Sequence, residues 1–247
     1  MKIAVISDIH GNFVALDAVL GDLEGRGAEQ VVCLGDAIQG GPQPAQVTSE
    51  LRRMACPVVM GNADAWLLTG TETGDEEISA DRMRKMQAIR EWSLSQLSAE
   101  DKSFISAFLP TVTISLDPSR ALLCFHGSPR SFDDVILPWA AEEQFQKYLS
   151  EYSGNILTGG HTHLQQVRRI GDHFFFNPGS VGFSYHPIQA DGPTRADGWA
   201  EYALLSSENG RVALEFRKIP FDVAKLSRAY TESGRPYAEE AIAQYGL

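Results

Sequence analysis

Over its first sixty residues the chain alternates short, apolar, β-prone runs with helical patterns, and this alternation is the strongest constraint on its fold. Residues 3–6, 31–34 and 58–60 read as strands. Between the first two, Leu16, Val19, Leu20 and Leu23 fall on one face of a helix for which Asn12 is an available N-cap. Strand, helix, strand, helix, strand predicts a parallel sheet with right-handed crossovers, hence an α/β fold. A chain of 247 residues buries enough apolar surface to fold without disulfides or a structural metal.

Residues 64–108 read as helical, with Trp66 and Trp92 expected in the core. Strand-like stretches at 112–116 and 120–125 flank the turn-prone Asp117-Pro118, and a helix at 140–152 leads into a strand at 155–158. The second half changes character. Residues 165–170, 173–176, 202–205 and 211–219 are strand-like and joined by Gly171-Asp172 and Asn209-Gly210, which predicts an antiparallel meander. Residues 186–198, rich in glycine, proline and charge, read as a mobile loop within it. A helical tail from Asp222 onward is broken at Gly234-Arg235-Pro236. The reading is one domain over 1–247, with a helical insert at about 64–108 and a helical tail at about 221–247.

Twenty-one Lys+Arg against 32 Asp+Glu give a net charge of -11. Such a surface repels phosphate backbones, so stable nucleic-acid binding is not expected. A small phosphorylated substrate then needs something local and cationic to hold it. Cys33, Cys56 and Cys124 form no CxxC pair, and two of them sit in apolar runs, which suits a reducing, cytoplasmic setting. No apolar run approaches the roughly 20 residues that span a bilayer, and the N-terminus does not read as a signal peptide.

The chemistry lies at the strand ends. Asp8 and His10 follow the first strand two positions apart, a spacing that in extended chain turns both side chains the same way. Asp36 follows the second in Gly35-Asp36, and Asn62 the third in Gly61-Asn62. His126 ends another strand in His126-Gly127, and His161 and His163 end a further one in Gly160-His161-Thr162-His163. Carboxylate, amide and imidazole groups thus gather at the carboxyl edge of an α/β sheet, where ligands bind. One such histidine would be unremarkable, but five strand ends bearing metal-competent side chains argue for a site.

This series resembles the calcineurin-like metallophosphoesterases, small bacterial and archaeal members in particular, and Asn177-Pro178-Gly179-Ser180-Val181-Gly182 is similar to the segment that follows in them. The resemblance implies a four-layer α/β/β/α sandwich holding two divalent metal ions. It implies Asp8, His10, Asp36 and His163 on the first ion, and Asp36, Asn62, His126 and His161 on the second, with Asp36 bridging. It further implies a metal-bridging hydroxide attacking phosphorus, a chemistry that two ions about 3.5–4 Å apart support. Oxygen and nitrogen ligands without thiolate suit Mn, Fe, Co, Ni or Zn; family habit favours Mn.

One position departs from the pattern. Many members carry Gly-Asn-His-Asp/Glu, whose histidine serves the leaving group, whereas this chain has Gly61-Asn62-Ala63-Asp64. Asp64 then reads as a helix N-cap. Loss of a general acid costs on the order of 10²–10⁴ in rate for poor leaving groups, so the expectation shifts to a phosphodiesterase acting on a small phosphoester. A phosphomonoesterase, a dinucleoside polyphosphate hydrolase, and a non-catalytic scaffold like the retromer subunit of this fold are the rivals; the complete ligand set weighs against the scaffold. Arg130 is a further candidate for a phosphate oxygen, the alternative being a solvated loop arginine. His186 and Arg195 could reach the site from the loop, although a plain surface role is favoured for both, and His173 has no expected chemistry. Residues 179–182 lack the Lys-Ser/Thr ending of a phosphate-binding Walker loop. A homo-oligomer is left open.

Overall fold

A computed structural model of the chain describes residues 1–74, 78–152, 156–170, 173–186, 189 and 194–246. β1 (Lys2–Ile6), α1 (Phe13–Leu23) and β2 (Gln30–Cys33) make the expected parallel crossover, with Ile3 opposite Gln30 and Ile6 opposite Cys33. Asn12 caps α1, its Oδ1 accepting the Ala15 N–H at 3.0 Å. α2 (Pro44–Met54) follows. The expected third strand at 58–60 shrinks to two bridges, Val58 beside Cys33 and Val59 beside Leu109. Its continuation is cut off because Gly61 already caps α3 (Asn62–Thr69). α4 (Ala80–Ser95) and α5 (Ala99–Ser106) complete the helical stretch; Trp66 is buried and Trp92 half-buried.

β3 (Val112–Asp117) and β4 (Arg120–Cys124) form a hairpin, and β5 (Ile156–Thr158) joins β4 in parallel after α6 (Glu142–Leu149). β6 (Gln166–Ile170), β7 (His173–Asn177), β8 (Trp199–Glu208) and β9 (Arg211–Pro220) do not form one meander as the sequence suggests. β6 and β7 finish a sheet of order β3-β4-β5-β7-β6, whereas β8 and β9 finish the other, β2-β1-β8-β9. The reason lies in β8: residues 200–205 are all buried, without alternation, as befits a central strand covered on both faces. It pairs antiparallel to β1, and Asn209 and Gly210, both at positive φ, turn it back into β9. The Gly171-Asp172 turn, Asn155 and residues 187–188 and 190–193 of the expected loop lie outside the described residues.

The layers follow from which faces are apolar. Ile3, Val5, Val32 and Leu34 meet Ile114, Leu122, Cys124 and Phe176 between the two sheets. The outer face of the first sheet, with Ala4, Ile6, Tyr202 and Leu204, takes Leu16, Val47, Leu51 and Ile105 from the helices on that side. The second sheet is covered by α6, through Phe145 and Leu149 on Leu123, Phe125, Leu157 and Phe175. This is the expected α/β/β/α sandwich, with most of its helix on one side. α7 (Val223–Ser233), capped by Asp222 and ended by Gly234 at φ 71, and α8 (Ala238–Ala243) pack into that thicker layer through Leu226, Tyr230 and Ala241.

Candidate metal centre

β1 and β2 in one sheet and β4 and β5 in the other run to the same edge of the sandwich, so their following loops meet. Asp8 and His10 leave β1, Asp36 leaves β2, His126 leaves β4, and His161 and His163 leave β5; Asn62 opens α3 beside them. The convergence does not come from extended chain. Among the described residues eight non-glycine residues have positive φ, and five are Asp8, His10, Asp36, His161 and His163, at 48° to 68°. A left-handed residue at every second position reverses the local direction, so both side chains of each pair turn inward. Such a conformation costs on the order of 1–3 kcal/mol per residue and persists only where the surroundings enforce it. Here the two loops brace each other: Asp8 N–H donates to Gly35 O (3.0 Å), His10 N–H to Asp36 O (2.8 Å) and Gly11 N–H to Ala37 O (2.9 Å).

The side chains form two clusters, Asp8 with His10 and His163, and Asp36 with His126 and His161. Asp36 Oδ2 lies between them, 3.9 Å from His10 Nε2 and 3.5 Å from His126 Nε2. Asn62 Oδ1 is 3.0 Å from His126 Nε2. Three imidazoles donate Nδ1–H to backbone carbonyls: His10 to Gln39 (3.0 Å), His126 to Leu34 (2.9 Å) and His163 to Phe183 (2.7 Å). Each bond fixes the tautomer and leaves Nε2 facing the cluster. His10 Nε2 and His163 Nε2 approach to 3.1 Å, so a shared proton or a cation must separate their lone pairs. Asp8 Oδ1 is fully buried yet accepts no hydrogen bond. Converging Nε2 atoms, an orphaned carboxylate oxygen and a thiolate-free donor set fit divalent transition metals.

Electrostatics agree. Burial pushes the Asp36 carboxyl up, but the surrounding imidazoles, His126 first, hold it well below the carboxylate range. Burial likewise disfavours a charged His126, yet Asp36 carries its pKa up to about 9. His161, half-buried, is lowered to about 4 by desolvation and by the charge on His126. His163 is raised, Asp8 outweighing its burial, while burial leaves His10 lowered. Without metal, each cluster thus favours a proton on one histidine, the place a cation takes.

Residues 1–196 match the calcineurin-like phosphoesterase superfamily domain. The chain belongs to that family. It is 26% identical over 243 residues to an uncharacterized protein of Methanocaldococcus jannaschii, covering 95% of this chain and 93% of that one. It is 28% identical over 191 residues to the phosphodiesterase YfcE of Escherichia coli, covering 73% and 79%. Among solved structures, a metallophosphoesterase from Sphaerobacter thermophilus shares the fold with a TM-score of 0.73 at 24% identity, covering 99% of this chain and 98% of that one.

In this chain Asp64 is not an N-cap. It is the third residue of α3, fully buried, and its two oxygens accept the N–H groups of Ala37 and Ile38 at 3.0 Å each. The acid therefore clamps the turn that presents Asp36, and burial with the adjacent Asp36 charge raises its pKa to about 7. Ala63 N–H donates to Asp36 Oδ1 at 2.7 Å, holding the other side of the same carboxylate.

A pocket of about 340 Å³ opens over His10, Asp36, Asn62, His161 and His163. The remaining sequence candidates do not line it. Arg130 is ion-paired with Glu151 at 2.8 Å, and His186 and Arg195 are exposed, with Gln189 Nε2 donating to both of their carbonyls. The side chain of His173 lies outside the described residues. Sequence reading missed Gly40, Phe183, Tyr230 and Arg235 in the pocket wall. Only the Gly-Arg-Pro break at 234–236 marked one of them, and it reads as a turn.

Proposed function

We propose that this phosphoesterase is a dinuclear, metal-dependent phosphodiesterase acting on a small phosphoester, with Mn the favoured metal. The observation that carries the reading is Asp36 Oδ2 facing His10 Nε2 and His126 Nε2 from between the two clusters. Asp8, His10, Asp36 and His163 would hold one ion, and Asp36, Asn62, His126 and His161 the other. When bound, such ions supply positive charge at the phosphoryl oxygens and lower the pKa of water to the neutral range. The chain's own part is to aim the donors. Carbonyls of Gln39, Leu34 and Phe183 orient three imidazoles, Asp64 and Ala63 orient Asp36, and the left-handed turns bring both sheets' loops to one point.

Preference for diesters rests on Ala63, which offers no proton to a poor leaving group, and the name of the YfcE relative agrees. The pocket volume, at the low end of the roughly 300–1,000 Å³ of small-molecule sites, supports a small substrate. Three free cysteines and the net charge of -11 favour a reducing cytoplasm and no nucleic-acid partner. The test strips the protein with a chelator and restores Mn. Bis-p-nitrophenyl phosphate should then be hydrolysed in a metal-dependent way and faster than p-nitrophenyl phosphate. The reverse preference makes the protein a monoesterase, and metal-independent turnover contradicts the reading entirely.

A further inference from the structure

Arg235 lies in the turn between α7 and α8, beyond the stretch that matches the family domain, and it lines the same pocket as the metal-competent side chains. Its guanidinium is held firmly. Nε donates to Gly40 O at 2.5 Å, Nη1 donates to Pro236 O at 2.8 Å and Tyr237 O at 3.3 Å, and the group sits 5.3 Å from the Tyr230 ring centroid. No bond falls to Nη2 among the described residues, and Arg235 forms no ion pair there. Glu240, which acts on it through space, is ion-paired with Lys85 at 2.9 Å. Among the described residues Asp36 is the one carboxylate in the pocket wall. The concavity on the opposite side of Asn62 and His161 is lined instead by Glu72, Asp133 and Asp134, with no Lys or Arg among the described residues. A half-buried guanidinium, its face over an aromatic ring and one nitrogen uncommitted, is prepared for an oxyanion.

We propose that Arg235 is the substrate-binding cation of the catalytic pocket, holding an anionic oxygen of the phosphoester and making the Arg235 side, not the acidic side, the seat of the substrate's negative charge. The oxygen belongs either to the reacting phosphoryl group or to a second phosphate or carboxylate on the organic part. This inference rests on the phosphodiesterase reading, since it takes the pocket as the substrate site. Arg235 also touches Gly40, next to the Gln39 carbonyl that orients His10, so the experiment must separate anion binding from support of that loop.

Arg235→Gln and Arg235→Lys are compared with wild type in the full-length, Mn-loaded protein. Metal content is measured by elemental analysis, KM and kcat with bis-p-nitrophenyl phosphate, and Kd by calorimetry for inorganic phosphate and for methylenediphosphonate. Losing a charge-assisted contact predicts affinity lower by roughly 10- to 100-fold in Arg235→Gln, partly recovered in Arg235→Lys. If the oxygen is on the reacting group, KM and both Kd values rise; if it is on a second group, only the methylenediphosphonate Kd rises. Unchanged Kd values in both variants overturn the proposal. So does equal loss of metal and anion binding in Lys and Gln variants, which makes Arg235 a loop support. A wild type that binds phosphate through Arg235 but hydrolyses nothing overturns the activity while leaving this assignment standing.

Discussion

A single methyl group at Gly61 tests how tightly the Asp36 carboxylate is built into the fold. Gly61 is the N-cap of α3 at φ -96 and ψ 166, backbone that alanine adopts freely. Conformation does not demand glycine there; space does. A Cβ at Gly61 would overlap Asp36 Oδ1 and the Asp36 nitrogen and stand 2.9 Å from Asp36 Cγ. Carbon atoms pack at about 3.5–4.0 Å, so the Cγ contact alone asks for about 0.6 Å, and the nearer Oδ1 and nitrogen raise the required shift of Asp36 or α3 to about 1 Å. Overpacking of this kind costs about 1–3 kcal/mol. An unfolding entropy of about 2.1 cal/mol/K per residue makes that roughly 2–6 °C in Tm for this chain length. The functional cost is of similar size, because a shift of this order in a group of the candidate site removes on the order of 10²-fold in rate, about 2.7 kcal/mol. Gly21 is the control: it lies within α1 with nothing within 4 Å of the added carbon, so Gly21→Ala should stabilise by about 0.5–1 kcal/mol. Calorimetry and metal analysis of both variants decide the matter. A Gly61→Ala protein that melts with wild type and keeps its metals and turnover refutes the packing argument.

Asp64→Ala leaves the buried N–H groups of Ala37 and Ile38 without acceptors, at about 1–3 kcal/mol each, so it should lower Tm and metal affinity together, with Asp64→Asn between it and wild type; a thermal melt matching wild type contradicts the clamp. Ala63→His should raise turnover of alkyl phosphomonoesters relative to bis-p-nitrophenyl phosphate, at the low end of the roughly 10²–10⁴-fold range of general acid catalysis; an unaltered ratio removes the missing imidazole as the source of substrate preference. Asp22 ties α1 to the β8–β9 hairpin by accepting from Arg217, Tyr202 and Arg26, bonds that overcome its burial and hold its pKa at about 2. A depressed carboxyl stabilises above its unfolded pKa of about 3.9 and loses that contribution as pH falls toward its folded pKa. The stability gap between wild type and Asp22→Asn in urea titrations should therefore hold from neutral pH to about 4 and shrink below it; a gap independent of pH shows that the charge is not what matters.

The strand-helix alternation and the residues at the strand ends were legible because local apolar pattern and turn chemistry decide them. Asp8 and His10 converge, but not by the strand geometry their spacing suggests: residues i and i+2 of a strand share a face, whereas these two converge through left-handed turns, which no periodicity reports. Asp64 reads as a cap because capping is its commonest local use, whereas its partners Ala37 and Ile38 lie 27 and 26 residues away and come near only through the crossover. The sequence places β8 in a meander because its pairing with β1 spans almost the whole chain and leaves no local signal. Arg235 was invisible as a site residue for the same reason, reaching the pocket only when α7 and α8 pack against the first sheet's helical layer.

The central claim is that two metal ions share Asp36. Calorimetric titration of the stripped protein with Mn, beside titrations of Asp36→Asn and Asn62→Ala, tests it most directly. Two ions per chain should bind wild type, Asp36→Asn should weaken both, and Asn62→Ala should weaken one. A single site in wild type, or an Asp36→Asn protein that binds two ions as tightly as wild type, contradicts it.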